Sequence, residues 1–448
     1  MSHYKPYPAY KDSGIKWLGE VPGHWEVKRI RYVAAFTNSN VDKKSYDGQV
    51  NVTLCNYTDV YYNEFITSKI PFKPATARRD EIDKFSLRKG DVLITKDSEA
   101  PDDIGIPSIV LEDMSGVICG YHLTLIRSTD LATARILHRV FQSHPTKAHF
   151  FVEAPGITRY GLSQDAIGDL RICLPPPEER GAIVDFLDRQ TARIDALIAK
   201  KTRFIELLKE KRQALITHAV TKGLDPNVKM KDSGVEWIGE VPEKWEAVKI
   251  SHIGKLTKAN GGSKQDNVDS GISCIRYGDL YTTHEYIIRK SRSYIEEGKL
   301  DEYTAIQYGD ALFAASGETF EDIGRSAVNL LKEDACCGGD VIVLKPSKDI
   351  DPLFLGYALD SIPSKYQKAL MGRGYTVVHI YTEQLRDLIV AVPPSFEQKT
   401  IGIALDRQTA RIDLIIEKTQ RSIDLLRERR SALITAAVTG QIDLRETI

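Results

Sequence analysis

Apolar side chains recur at alternating intervals of three and four residues along two long stretches of the chain, which follow Pro177 and Pro394. Neither stretch contains a proline, and both are rich in Leu, Ala, Arg, Lys and Glu, residues that favour helix. Sustained spacing of this kind is typical of coiled-coil packing. The side chains predicted to pack between two long helices are Leu187, Ile194, Ile198, Ile205, Leu208 and Leu215 in the first stretch, and Leu405, Ile412, Ile416, Ile423, Leu426 and Leu433 in the second.

Start and stop signals bound both helices. The first follows three prolines that end at Pro177, and proline is tolerated in a first helical turn. The second opens with Ser395 and Gln398, which have the spacing of a capping box. Gly223 and Gly440 follow the last apolar positions and are predicted to form left-handed C-caps. Each helix is therefore expected to be about 40 residues and roughly 60 Å long.

Both stretches belong to an internal duplication. The nine residues Leu187–Asp195 return unchanged as Leu405–Asp413, 218 positions later. A second segment, Lys11–Pro22, returns with three changes as Lys231–Pro242 at an offset of 220. All four tryptophans lie in or just after this second repeat, and we expect their rings to anchor a strand or turn. Each helix could simply cap its own domain, but the duplication favours two helices that pack on each other and separate two domains.

The interiors of the two halves predict mixed structure. Short β-rich runs such as Val92–Thr95, Thr124–Ile126 and Val341–Leu344 alternate with Gly, Asp and Pro turns, and helices are predicted at 132–143 and 352–359. The predicted fold class is α+β. It consists of two similar mixed α/β domains separated by two long helices, which pack as an antiparallel coiled coil with pseudo-twofold symmetry. The predicted segments are 1–175 for the first domain, 176–224 for the first helical spacer, 225–393 for the second domain and 394–448 for the second spacer.

Composition narrows the class of protein without identifying a partner. Lys plus Arg (61) nearly balances Asp plus Glu (62), so any surface for nucleic acid must be local rather than a property of the whole chain. The six cysteines show neither CxxC nor zinc-ligand spacing and are expected to be reduced thiols. The N-terminus lacks an apolar signal core, and no run approaches the length of a membrane span. We therefore expect a cytoplasmic protein without membrane contact.

Sequence motifs for catalysis are missing. The chain has no Gly-x-x-x-x-Gly-Lys-(Ser/Thr) phosphate loop, no dinucleotide fingerprint and no Asn/Asp-Pro-Pro-aromatic segment of the adenine methyltransferase kind. Pro101-Asp102-Asp103 resembles part of a nuclease metal site, but no Glu-x-Lys follows it. The prediction is a chain with no catalytic residues, no metal and no cofactor of its own.

Three features together resemble the DNA-specificity subunit of type I restriction-modification systems. They are the Trp-(Leu/Ile)-Gly-Glu-Val-Pro-x-x-Trp segments, the Pro-Pro-x-x-Glu-(Arg/Gln) entries into long helices, and the repeated Leu-Asp-Arg-Gln-Thr-Ala-Arg-Ile-Asp. The resemblance covers essentially the whole chain. It implies that 1–175 and 225–393 are target-recognition domains reading a split, asymmetric site on double-stranded DNA. It also implies docking of adenine-N6 methyltransferase subunits, two in number, and of motor-nuclease restriction subunits for cleavage.

DNA contacts need Arg, Lys, Asn or Gln aimed at base edges, and basic or hydroxyl groups on phosphates. For any single cation, a solvated surface charge is the simpler interpretation. The candidates are Arg78 and Arg79 for phosphate, Lys96, Arg159 and Tyr160 in the first domain, and Lys264, Arg276, Tyr277, Arg325 and Arg373 in the second.

Two rival classes remain open at this point. The first is a non-catalytic coiled-coil adaptor that binds proteins alone, and the second is a stand-alone enzyme, which the missing motifs disfavour. Salt-sensitive, sequence-dependent binding to duplex DNA would distinguish the specificity subunit from the adaptor.

Overall fold

The computed structural model describes residues 4–262, 264–347 and 349–445. The chain divides into two compact units. Unit 1 comprises the chain before Thr202 and after Gln420, and unit 2 comprises Thr202–Gln420. Both long helices run from one unit into the other, so each unit contains a part of each helix.

Unit 1 is a mixed α/β structure with short strands. Its strands are β1 (Tyr10–Asp12), β2 (Glu20–Pro22), β3 (Glu26–Arg29), β4 (Ala34–Asn38), β5 (Val50–Cys55), β6 (Phe65–Ile66), β7 (Lys73–Ala77), β8 (Val92–Thr95), β9 (Asp97–Ser98), β10 (Pro107–Val110), β11 (Val117–Cys119), β12 (Leu123–Ser128), β13 (Tyr160–Gly161) and β14 (Arg171–Leu174). Its helices are α1 (Tyr57–Tyr62), α2 (Arg79–Phe85), α3 (Leu131–Gln142), α4 (His144–Glu153), α5 (Gln164–Gly168) and the first part of the long helix α6 (Pro177–Lys222).

Unit 2 repeats this layout. Its strands are β15 (Met230–Asp232), β16 (Glu240–Pro242), β17 (Glu246–Lys249), β18 (Gly254–Lys258), β19 (Asn267–Val268), β20 (Ile272–Ile275), β21 (Tyr286–Ile288), β22 (Ser293–Ile295), β23 (Thr304–Ile306), β24 (Ala311–Ala314), β25 (Ser316–Gly317), β26 (Ser326–Asn329), β27 (Ala335–Cys337), β28 (Val341–Pro346), β29 (Val378–His379) and β30 (Ile389–Val392). Its helices are α7 (Tyr277–Thr282), α8 (Pro352–Leu359), α9 (Ile362–Met371), α10 (Thr382–Leu385) and the first part of the long helix α11 (Ser395–Val438).

Both units contain a sheet of the same topology, ordered β4-β12-β8-β10-β6 in unit 1 and β18-β28-β24-β26-β21 in unit 2. The last pair of each sheet is parallel and the other pairs are antiparallel. The central strand β8 is buried throughout because Val92 and Ile94 pack into one core while Leu93 packs into another. A sheet covered on both faces produces a continuous apolar run instead of alternation. The predicted α+β class is confirmed. The individual strands and helices predicted from the sequence are also confirmed.

The tryptophan segments lie against the start of a long helix. In unit 1 the Trp25 indole is buried and donates to Glu179 in the first turn of α6, at 3.1 Å. In unit 2 the buried Trp245 donates in the same way to Glu397 of α11, at 2.8 Å. The structural role is therefore confirmed for these two rings, whereas the other two tryptophans of the repeat are exposed.

Both long helices end as predicted, but the start of α11 differs from the prediction. Gly223 and Gly440 have φ of +77° and +70°, and Gly440 closes a left-handed cap in which the Gln441 amide donates to the Ala436 carbonyl at 2.8 Å. The capping box predicted for Ser395 and Gln398 is wrong. The Gln398 side chain instead accepts from the Asp351 amide and donates to the Pro393 carbonyl, so it ties the helix to its neighbours.

The two long helices run in opposite directions within each unit. In unit 1 the start of α6, around Leu187, shares a core with the end of α11, around Leu433, and Asp195 meets Arg430 closer to the helix middles. In unit 2 the end of α6 shares a core with the start of α11, and Arg212 meets Asp413. All twelve predicted packing side chains are buried or partly buried in the unit to which they belong.

The repeated nine-residue motif anchors each helix to its domain. In unit 1, Arg139 of α3 is buried and donates to Asp188 at 2.6 Å, with Thr191 within 3.4 Å. The residue at the equivalent place in α8 is Tyr357, whose hydroxyl lies 3.4 Å from Asp406 and 3.0 Å from Thr409. Helix residues that are identical in the two repeats therefore serve different domain partners.

In each unit, one arginine of a long helix contacts both the other long helix and the domain. Arg212 contacts Asp413 of α11 at 2.6 Å and Glu285 at 2.8 Å. In unit 1, Arg430 contacts Asp195 of α6 at 2.9 Å and also Glu64. Burial opposes ionisation of Glu64, but Arg139 and Arg430 outweigh it, so its pKa is lowered. The stabilisation from this lowered pKa is present at neutral pH and is lost as the pH falls through it.

We expect Arg212→Met to lower the free energy of unfolding by about 2 kcal/mol. Breaking a buried ion pair costs about 3–5 kcal/mol, and partial exposure reduces that figure. The matched control is Arg203→Met on the same helix, where an exposed arginine pairs with Glu206 and a loss below about 0.5 kcal/mol is expected. Urea unfolding measures both. Equal losses for the two variants would contradict a structural role for the bridge.

Candidate nucleic-acid interface

A short helix opens the candidate interface in each unit. Strand β5 leads into α1, and β20 leads into α7. The residues that cap the two helices are Asn56 and Arg276, whose amides donate to Asp59 at 2.8 Å and Asp279 at 3.0 Å. The two helices thus share a backbone and a cap but carry different side chains at the capping position.

A strained loop lies next to each of these helices. His122 and Asp340 have positive φ of 74° and 59°, and they occupy equivalent positions before β12 and β28. Such backbone is uncommon for residues other than glycine and is found most often where a function requires it. In unit 1 the preceding Gly120 is also constrained, because a Cβ there would lie 2.8 Å from the Cys55 carbonyl oxygen.

The structure brings together Lys96, Arg159 and Tyr160 of unit 1. Lys96 Nζ lies 4.7 Å from the centre of the Tyr121 ring, and Arg159 Nη2 lies 3.1 Å from His122 Nδ1. Asp97 Oδ2 lies 2.6 Å from the same His122 nitrogen. Tyr160 pairs with Ser98 across β13 and β9. We use the name polar strip of unit 1 for Lys96, Asp97, Tyr121, His122, Arg159 and Tyr160, together with Arg78 and Arg79.

Arg78 and Arg79 extend the polar strip. Arg78 caps α2 and contacts Glu81 at 3.2 Å, and Asn40 donates to the same carboxylate at 3.0 Å. The neighbouring Val41 carbonyl accepts from the Tyr121 amide at 2.8 Å. A chain of contacts therefore connects Arg78 with the group around Lys96.

In unit 2, the structure brings together Lys264, Arg276 and Tyr277 at a groove of about 1040 Å³. The groove also contains Lys258, Arg292, five glycines and Asp340. Arg276 is largely buried, and its Nε and Nη2 donate to Asn267 at 2.9 and 2.6 Å. This arginine shapes the wall of the groove, while Lys264 and Tyr277 are exposed.

Two further candidates of unit 2 lie away from this groove. Arg325 contacts Glu285 at 3.3 Å, beside the arginine bridge of α6. Arg373 lies in a hairpin and donates to the carbonyls of Leu370 and Gly372 at 3.4 and 3.1 Å. The structure therefore groups three of the five unit 2 candidates at one place.

Each of the two short helices carries a tyrosine whose hydroxyl contacts a neighbouring part of the same domain. A hydrogen bond to Asp103 raises the pKa of Tyr61 to about 12, and burial raises the pKa of Tyr281 to about 12. Both phenols are therefore protonated donors at neutral pH. Sequence reasoning missed His122, Tyr121 and Lys258, although alignment of the halves at an offset of 218 would have paired His122 with Asp340.

The described residues contain neither a cluster suited to a metal ion nor a helix able to span a membrane. Within residues 4–262, 264–347 and 349–445, His, Cys, Asp and Glu side chains form no cluster suited to a metal ion. No helix in that part of the chain is long and apolar enough to cross a membrane. The cysteines seen there are free and buried, and burial raises the pKa of Cys55 and Cys173.

Comparisons with known proteins agree with this architecture. Residues 242–423 match the family described as the type I restriction modification DNA specificity domain. The chain is 23% identical to the type I restriction enzyme MjaVIII specificity subunit of Methanocaldococcus jannaschii, over 97% of both chains. It is 21% identical to the EcoKI specificity subunit of Escherichia coli K12, over 95% of this chain and 90% of that one.

Solved structures share the fold. A chain from a study of complex assembly and conformational transition of the type I R-M system matches with a TM-score of 0.71 and 16% identity, covering 94% of this chain and 99% of its own. The HsdS subunit of Thermoanaerobacter tengcongensis matches with a TM-score of 0.50 and 15% identity, covering 94% and 98%.

The fold of this chain, with its duplicated mixed α/β units and two long helices, is therefore similar to that of these two structures. Residues 242–423 therefore resemble the type I restriction modification DNA specificity domain, and the chain is similar over nearly its whole length to type I specificity subunits. Both of these relatives are specificity subunits of type I restriction enzymes.

We expect Lys96→Ala and Arg159→Ala each to reduce the salt dependence of DNA binding. A lost phosphate contact lowers the slope of log K against log salt by about one. Fluorescence anisotropy of the native complex on duplex DNA, repeated over a salt series, measures this slope. Lys11→Ala, at an exposed lysine of β1, is the matched control and should leave the slope unchanged. Unchanged slopes for all three variants would place the DNA elsewhere.

Proposed function

We propose that this chain reads a bipartite, asymmetric site on double-stranded DNA in the cytoplasm, with one unit on each half-site. In this proposal 1–175 and 225–393 are the target-recognition domains, and 176–224 and 394–448 are the helical spacers. The observation that carries the proposal is that equivalent backbone positions differ in chemistry. Asn56 corresponds to Arg276, and His122 corresponds to Asp340.

The chemistry of base recognition explains why these differences matter. Asn pairs with adenine edges, Arg and Lys with guanine edges, and Asp accepts a hydrogen bond from cytosine. Two domains with one fold but different donors and acceptors would therefore prefer different half-sites. A chain with two such domains would read a non-palindromic target, whereas an adaptor that binds only proteins has no need of this divergence.

We also propose a docking stripe on each long helix for adenine-N6 methyltransferase subunits. Arg189 and Arg193 are exposed in unit 1, and Leu197, one turn further, is exposed as well. Residues four apart lie on one helix face. The stripe recurs in unit 2 as Arg407, Arg411 and Ile415.

Packing accounts for only some of the residues that are identical in the two copies of the nine-residue motif. Its leucine, threonine, isoleucine and aspartates contact the core, the domain or the other long helix in both units, but the arginines are exposed. Exposed residues that are identical in two otherwise divergent halves are suited to binding two copies of one partner. That partner would present acidic and apolar groups to the stripe. The motor-nuclease restriction subunits would join this core complex for cleavage.

Exchange of one domain tests the proposed reading of half-sites. Replacing 225–393 with the corresponding segment of a relative should change one half of the methylated motif and leave the other half unchanged. The measurement is genome-wide mapping of methylated adenines in cells that express the chimaera with its methyltransferase, beside cells that express the original chain. A change in both halves would contradict independent reading.

Charge reversal tests the proposed docking stripes. Arg189→Glu/Arg193→Glu should remove one methyltransferase subunit from the complex, and Arg407→Glu/Arg411→Glu should remove the other. Native mass spectrometry counts the bound copies. Arg427→Glu/Arg429→Glu is the matched control, because it reverses two exposed charges outside the stripe. Full occupancy in both stripe variants would show that docking uses another surface.

A further inference from the structure

The most exposed large apolar side chains of the two units occupy equivalent positions. Ile157 is 92% exposed, and Tyr375, located 218 residues later, is fully exposed. Each follows a glycine and precedes a threonine at the tip of a hairpin. A single exposed apolar residue is ordinary on a protein surface. The recurrence of full exposure at one position in two divergent halves needs a specific explanation.

The hairpins hold these tips in place. In unit 1, Gly156 bridges to Tyr160, and a Cβ at Gly156 would lie 2.2 Å from the Arg159 carbonyl oxygen. The tight turn therefore requires a glycine at this position.

The unit 2 hairpin is closed in a similar way. The Arg373 and His379 backbones exchange two hydrogen bonds at 2.8 and 2.6 Å. Gly374 has φ of +123°, and a Cβ there would lie 2.1 Å from the Val377 carbonyl oxygen. Both turns therefore present their tip from a constrained backbone, which lowers the entropy lost when the tip is buried by a ligand.

Contacts connect the hairpin of each tip with the candidate interface of its own unit. In unit 1 the hairpin carries Arg159, which contacts His122 in the polar strip. In unit 2 the hairpin strand β29 pairs with β25, and the Tyr281 hydroxyl donates to the Ser316 carbonyl at 3.0 Å. Tyr281 belongs to α7, whose first residue, Tyr277, is at the edge of the groove. In both units the apolar tip therefore has an arginine in its own hairpin, and contacts through neighbouring elements connect that hairpin with the candidate interface.

Bases are the ligand that fits this combination. A hydrophobic tip flanked by Arg159 in one unit and by Arg373 in the other can enter a base stack while the arginines meet phosphates. Proteins that deform DNA use apolar side chains in this way, as wedges between base steps. We propose that Ile157 and Tyr375 are wedges that each unstack one base step in the half-site of their own unit, an inference that rests on the proposed DNA-reading function.

The test uses the chain in its complex with the methyltransferase, on a duplex that carries the mapped site. Tyr375→Ser should weaken specific binding about tenfold, because contact between a base and an aromatic ring contributes about 1–3 kcal/mol. Tyr375→Phe keeps the ring and should bind like the original chain. The salt slope should not change in either variant, because no phosphate contact is lost.

A fluorescent base locates the wedge. 2-Aminopurine placed at successive purines of the second half-site should brighten at one step with the original chain, and Tyr375→Ser should abolish that signal. Ile157→Ser should do the same in the first half-site only. A base flipped by the methyltransferase would stay bright in both variants. Tyr308→Ser, at an exposed tyrosine in a turn of unit 2, is the matched control and should bind and fluoresce like the original chain.

The outcomes separate this inference from the proposed function. If the original complex does not distinguish its site from other duplexes, the proposed function fails and the wedge fails with it. If the complex is specific but Tyr375→Ser and Ile157→Ser bind and fluoresce like the original chain, the wedge alone is overturned. Loss of the methyltransferase from either variant would also overturn the wedge, because it would assign the tip to a protein partner.

Discussion

The arginine bridge is the contact on which the arrangement of each unit depends. An arginine remains charged at every physiological pH, and its planar fork can serve two carboxylates at once. Arg212 uses this geometry on Asp413 and Glu285, and Arg430 uses it on Asp195 and Glu64. In each unit one carboxylate belongs to the long helix that does not carry the arginine, and one belongs to the domain. The bridge therefore fixes the position of the domain on the helix pair by charge as well as by apolar packing.

A comparison of the two halves shows which positions are identical and which have diverged. Within the nine-residue motif, helix positions that meet the other helix or the domain are identical in the two copies, even where the domain supplies Arg139 in one unit and Tyr357 in the other. Aspartate accepts a hydrogen bond from either group, so the helix tolerates this change of partner. Interface positions such as Asn56 and Arg276 have diverged while their backbone cap has not. The scaffold and the recognition surface are therefore under different constraints.

The long helices, their C-caps, the fold class and the buried tryptophans follow from sequence pattern, because each depends on local spacing or on residue type. The interface follows only in part. Lys96 and Arg159 are far apart in the chain, and the turns that bring them together are set by tertiary hydrogen bonds. The burial of Arg276 depends on Asn267, a partner that no local pattern identifies. Gln398 does not form the predicted capping box for the same reason. Its side-chain oxygen accepts a hydrogen bond from the backbone amide of Asp351, which is distant in the chain.

Unit 1 is built from two pieces of chain that are separated by all of unit 2. The core around Trp25 includes Ile434, Ala436 and Ala437 of α11, and the Asp443 amide donates to the Lys5 carbonyl at 2.8 Å. A ribosome adds about 5–20 residues per second, so unit 2 takes on the order of 10–40 seconds to emerge. During that time the first domain exposes the apolar face that α11 will cover. The first domain can therefore complete its core only after the rest of the chain, including all of unit 2, has been synthesised.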